Sequence, residues 1–295
     1  MEKLKNVLVG VDFEEDGKSL TAGARAAARQ ALWLAGRTGA RVDFLYSSHH
    51  GAEASRAPVV EPDPTEVRAL LAELGRGGDL ILSAERAWIA LARRVLDGES
   101  DLVVIGKRND DSRLANRLIG GVALATLHRC PGPVWVVRPD HQDLREILAA
   151  TDLSPVGDRA VEYAAFLARA VGAPLDVVHA WQIPMDLQLS AGRISEEEFA
   201  DRRRTIAMAA RDHVRALPAV AEMGEDAHVM LACGPPSSVI LDAVKEKQPG
   251  LVVMGTISRR GIAGVLVGNT AERLLYRLDT SILAVKPDDF ECPLT

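Results

Sequence analysis

Residues 101–121 read DLVVIGKRNDDSRLANRLIGG, and residues 250–270 read GLVVMGTISRRGIAGVLVGNT. Each opens on a β-branched apolar run closed by glycine and continues through an amphipathic stretch. A second apolar run then ends in Arg138-Pro139 or Lys286-Pro287. Farther upstream NVLVGVDF from Asn6 parallels EILAATDLS from Glu146, each an apolar run closed by an acid, Asp12 or Asp152. Corresponding positions lie about 140 to 149 residues apart, so the repeat unit is a whole domain and not a solenoid module. A chain of 295 residues at roughly 150 per domain agrees. We place the two copies at residues 1–140 and 141–295.

Within each copy, short apolar runs alternate with longer segments of helical period, the pattern of βαβ units on a parallel sheet. In the second copy strands are expected near 145–151, 175–181, 227–232, 250–255 and 281–286, with helices near 155–171, 195–217, 236–247 and 263–278. Ser154-Pro155 is a helix start, because serine caps and proline suits the first helical position; Gly172 closes that helix. The first copy predicts strands near 6–12, 41–47, 78–83, 101–106 and 133–138, and its proline-containing segment 48–66 reads as a loop. The fold class is therefore α/β, two tandem copies of an open, doubly wound, five-stranded parallel sheet with helices on both faces. Such sheets bind ligands beyond the carboxyl ends of their strands, where strand order reverses.

Composition narrows the function classes. Aromatic residues are 4% of the chain, and the formal net charge is −6, so neither base stacking nor a polyphosphate backbone is well served. The first copy holds 19 basic and 19 acidic residues, which leaves the whole deficit in the second. No apolar stretch is long enough to span a bilayer, and the N-terminal run turns acidic without a cleavage site. Cys130, Cys233 and Cys292 form no CxxC pair and suit free thiols in a reducing compartment; the expectation is a cytoplasmic protein that binds neither nucleic acid nor membrane. Cys233 is expected to be buried, as small thiols usually are.

The segment from Gly255 to Thr270 joins a strand to a helix and is rich in glycine and hydroxyl groups. Consecutive backbone N–H groups in such a loop make an anion-binding concavity, and Arg259 and Arg260 add charge. The plain alternative is a glycine-containing loop with solvated arginines. Gly10 to Ser19 ends in GKS like a P-loop, but six residues separate its glycines where four are needed, and Glu14, Glu15 and Asp16 would face the phosphates. His49-His50 reads as solvated, and His179 as a satisfied structural histidine. Arg202-Arg203-Arg204 follows Glu196-Glu197-Glu198 on one helix, which favours a salt-bridged face over a nucleic-acid patch.

The second segment resembles the nucleotide loop of the universal stress protein family: glycine, two residues, glycine, nine residues, glycine, then Ser or Thr. Gly255 and Gly268 match at the right separation, and LAATDLSP and SILAVKP continue the likeness, which covers nearly the whole chain as two copies. The resemblance implies a strand order of 3-2-1-4-5 and an ATP or other adenine-nucleotide site, with Mg²⁺ as an accompanying ion. It places Asp152 at the ribose or adenine side, the backbone near Ala180 at the adenine edge and Gly255 beneath the ribose. Ser258, Gly268, Asn269 and Thr270 are placed around the phosphates. Ser258 stands where the family has its second glycine, and Asn269 where it has Ser or Thr. The first copy keeps Asp12, Gly106, Gly120 and Gly121 but carries an extra residue in the loop, with Asp110 and Asp111 where phosphates would lie, so its role is read as structural.

The resulting reading is a stress-response binding or signalling module with a partly degenerate nucleotide site in its second copy. No dedicated base is identified, so any ATP hydrolysis would be slow. The alternative is a scaffold without nucleotide that takes an apolar ligand or a protein in the inter-domain or strand-end cleft, with the apolar stretch from Ala180 to Met185 as its lining. The resemblance also implies that Val134–Val137 and Ile282–Val285 pair the two copies into an intrachain pseudo-dimer, with a homodimer of such chains as a further possibility.

Overall fold

The architecture comes from a computed structural model, in which residues 3–49, 62–74, 78–107, 120–139, 144–182, 195–256, 273–274 and 276–294 are described. The first half contains β1 (Asn6–Val11), α1 (Ala22–Thr38), β2 (Arg41–Ser47), α2 (Thr65–Leu74), β3 (Leu80–Ser83), α3 (Ala87–Leu96), β4 (Leu102–Gly106), α4 (Gly121–Arg129) and β5 (Val134–Val137). The second contains β6 (Ile147–Thr151), α5 (Pro155–Val171), β7 (Leu175–Trp181), α6 (Glu196–Ala216), α7 (Pro218–Ala221), β8 (Ala227–Cys233), α8 (Pro236–Lys247), β9 (Leu251–Gly255) and β10 (Ser281–Val285). The expected helix at 263–278 lies mostly outside the described residues. Among the described residues no helix is long and apolar enough to cross a membrane.

Among the described residues ten strands form one sheet in the order β3-β2-β1-β4-β5-β10-β9-β6-β7-β8. Each half is thus a 3-2-1-4-5 parallel sheet, and the halves join through an antiparallel pairing of β5 with β10, Val136 opposite Ile282 and Trp135 opposite Leu283. Central strands such as β6 and β10 are buried at every position, as expected for a sheet covered on both faces. One apolar layer lies under α1 and α5, including Leu34, Val161 and Leu283; the other lies under α3, α4 and α8, including Leu91, Ile240 and Ile282.

The caps are those that the local chemistry dictates. Ser154 Oγ accepts from the Gly157 N–H with Pro155 following, and Gly172 ends α5 at φ 71°. Thr21 and Gly39 do the same for α1. Across the seam, Arg138 pairs with Asp279, and the Lys286 ammonium donates to the Leu127 carbonyl. Burial holds that ammonium down at about 8.

One expectation is corrected. Cys233 is exposed, whereas Cys130 and Cys292 are buried. Cys233 is the last residue of β8, and β8 is an outer edge of the sheet, with a neighbouring strand on one side only.

Candidate functional site

Asp152, Ala180 and Gly255 come together at the carboxyl ends of three adjacent strands, β6, β7 and β9. This is the point where the strand order of the second half reverses. Thr151 ends β6, and its Oγ1 accepts from the Leu153 N–H at 3.0 Å. Asp152 Oδ1 accepts from the backbone N–H of Ser154 at 3.0 Å and also from the Ser154 hydroxyl, which in turn caps α5. These bonds hold Leu153 at φ 59°, a left-handed conformation that a leucine rarely adopts and that costs roughly 1–2 kcal/mol. Asp152 is exposed, and its carboxylate is thereby held through Oδ1.

Two close approaches fix this turn. A Cβ added at Gly157 would lie 2.7 Å from both Asp152 Oδ1 and Thr151 Oγ1. One added at Gly255 would lie 3.1 Å from Val156 Cγ2, so α5 sits directly against the end of β9. His179, 8% exposed, bonds through Nδ1 to the Thr151 carbonyl at 2.9 Å, which ties β7 to the same turn. The carbonyl can only accept, so Nδ1 carries the proton. β7 runs on past its last pairing with β6, Thr151 with His179, so Ala180 and Trp181 pair with β8 alone. Half-buried Ala180 presents only a methyl group there. Trp181 is buried under the Arg203 guanidinium, while Arg202 pairs with Glu198 and Arg204 with Asp201. Ser258, Gly268, Asn269 and Thr270, with Arg259 and Arg260, lie outside the described residues.

The first half builds the same place differently. Nine positions separate Asp12 from its helix cap Thr21, against two between Asp152 and Ser154. The additional residues form a small hairpin closed by Phe13 opposite Leu20, with both side chains buried. Phe13 packs edge-to-face on Tyr46 at 5.4 Å, and Tyr46 holds the register position that His179 holds in the second half. Glu66 of α2 ties the hairpin down by accepting from Leu20 N–H and pairing with Arg25. Behind it, α1 comes so close to β4 that a Cβ at Gly106 would lie 2.1 Å from the Gly23 carbonyl oxygen. The first-half turn is therefore built around a buried aromatic pair, with Asp12 still exposed. The P-loop-like GKS is occupied, because Asp16 Oδ1 takes the N–H groups of Lys18 and Ser19 at 2.9 and 3.1 Å. Asp110 and Asp111 lie outside the described residues.

The Universal stress protein family matches residues 3–138 and again 144–286. The chain belongs to the universal stress protein family. It is 24% identical over 321 residues to Universal stress protein E of Photorhabdus laumondii subsp. laumondii, covering 100% of this chain and 98% of that protein. A solved protein of Pseudomonas aeruginosa PAO1, described as functionally unknown, shares 22% identity and a TM-score of 0.66 over 97% of this chain and 94% of its own. A universal stress protein from Archaeoglobus fulgidus matches with a TM-score of 0.65 at 17% identity, over 95% of this chain and 98% of its own. These structures share the fold.

For this universal stress protein, sequence reasoning had singled out Asp152, Ala180 and Gly255 but not Thr151, Ser154, Gly157 or His179 as their supports. Gly157 carried a signal, being a glycine in the first turn of a capped helix, but its neighbours on β6 are not visible from that pattern. Among the described residues no group of three or more His, Cys, Asp or Glu could hold a metal ion.

Proposed function

We propose that this stress-response protein binds one adenine nucleotide per chain, at the carboxyl ends of β6, β7 and β9 in residues 141–295, while residues 1–140 form its structural partner. The observation that carries this reading is the contrast between the halves: in the second a tight turn ties Asp152 to the helix cap Ser154, and in the first a hairpin sets Phe13 on Tyr46, where the second has His179. The residues present fit a nucleoside, because Asp152 Oδ2 can accept from ribose hydroxyls or an exocyclic amine and Gly255 adds no side chain over the turn. Ser258, Gly268, Asn269 and Thr270 would hold the phosphates, with Arg259 and Arg260 supplying charge. Asp152 is assigned to binding and not to hydrolysis.

The departures at Ser258 and Asn269 set the expected strength. A hydrogen bond to a charged group is worth about 1.5–3 kcal/mol, so losing one weakens binding by roughly 10- to 150-fold. They also motivate the second reading, a scaffold for an apolar ligand, but Trp181 in the apolar stretch of that reading is packed under Arg203.

Denaturing the purified protein and analysing the supernatant by absorbance and mass separates the two: adenine nucleotide supports the first reading, lipid or fatty acid the second. Gly268→Val is expected to abolish the thermal stabilisation that ATP gives the wild type. An unchanged shift in that variant refutes the site assignment, and no shift in the wild type favours the scaffold.

A further inference from the structure

At the opposite end of the second half, Asp176 is 2% exposed on β7, and its Oδ1 is buried with no hydrogen-bond partner. Its Oδ2 pairs with Lys247 Nζ at 2.9 Å, at the end of α8. Glu146, which leads into β6, brings its Oε1 to 3.9 Å from the same ammonium. Two carboxyls thus face one cation, Asp176 buried and Glu146 and Lys247 partly exposed. The orphaned Asp176 oxygen needs a donor, and a protonated Glu146 is the group at hand that can become one.

The other charged groups around the cluster do not supply it. Glu246, beside Lys247, adds negative charge, and His228 occupies the register position next to Asp176 on β8. The equivalent positions of the first half differ. Asn6 stands at the position of Glu146, and Asp43, at the position of Asp176, accepts from Arg41 and from the Asp79 N–H.

We infer that Glu146 and Asp176 share a single proton at the base of the second half, and that its loss sets two carboxylates against one lysine and loosens the hold of α8 on β6 and β7. The contact with Asp176 pushes the Glu146 carboxyl up to about 7, with burial and the Asp176 charge adding to it and Lys247 opposing. Folding therefore takes up a proton that the unfolded chain has released above its ordinary value of 4.5. Stability falls as pH rises from about 4.5 to about 7 and levels off beyond.

The test is carbon-13 NMR of the intact protein with labelled glutamate, the Glu146 carboxyl being assigned by its disappearance in Glu146→Gln and followed from pH 4 to 9. A midpoint near 7 is expected. In parallel, the Tm of the wild type should drop by several degrees between pH 5 and 8, while that of Glu146→Gln changes less. A carboxyl midpoint near 4.5, or superimposable Tm curves, overturns the inference; the glutamate carboxyl signal separates Glu146 from His228, and Glu146→Asp supplies the assignment if Glu146→Gln does not fold.

Discussion

Gly106→Ala is expected to destabilise the protein by about 4 kcal/mol, the added Cβ meeting its neighbour more closely than at any other described glycine. A core normally absorbs an extra methyl for about 1–3 kcal/mol, because side chains rotate or shift. Here the obstacle is main chain: the new Cβ would sit 2.1 Å from the Gly23 carbonyl oxygen and 2.7 Å from its Cα. Neither can rotate away, so α1 must move off β4. That helix lies close because its buried face is mostly alanine, with Ala24, Ala27, Ala28, Ala31 and Ala35 against the sheet. Lifting it opens the contacts of all of them together, which puts the change among the exceptional values that mark a named structural cause. Urea denaturation checks this, with Gly121→Ala as the control. Gly121 has open space around the position of a Cβ and begins α4, so its substitution should change stability by no more than about 1 kcal/mol.

Gly157→Ala is expected to weaken ATP binding at least tenfold while costing about 1–2 kcal/mol of stability. The added Cβ meets two side-chain oxygens, Asp152 Oδ1 and Thr151 Oγ1, each at 2.7 Å. Side chains can yield where main chain cannot, so the fold survives. The Asp152 carboxylate yields by leaving Ser154, which releases the Ser154 hydroxyl and the aim of Oδ2 together. Losing a charge-assisted bond to the ligand corresponds to the tenfold or greater effect. Calorimetric titration with ATP reads the affinity, and urea denaturation reads the stability. Full affinity in a folded Gly157→Ala protein would show that the Asp152 turn does not position the ligand.

Much of the fold was legible because it is written locally. The five apolar runs of each copy became strands within one or two residues of their expected bounds, and Ser154-Pro155 and Gly172 bracket α5 as their cap chemistry requires. The repeat itself anticipated two like sheets, and the universal stress protein resemblance anticipated their strand order and the pairing of β5 with β10. What the local pattern does not carry is which parts meet. Cys233 sits in an apolar run, yet that run is an edge strand. The segment from Phe13 to Leu20 drew notice for its GKS, whereas its structural effect comes from Phe13 reaching Tyr46 on the next strand. Asp43 and Asp176 look alike in sequence, and only their neighbours, an arginine in one half and a glutamate in the other, give them different chemistry.

The contrast between the Phe13–Tyr46 turn of the first half and the Asp152 turn of the second is measured most directly as a stoichiometry. Calorimetric titration of ATP into the intact chain should give one site per chain, and Asp152→Ala should remove it without loss of fold. Two sites per chain, or a single site that survives Asp152→Ala undiminished, would contradict the assignment of the ligand to the second half.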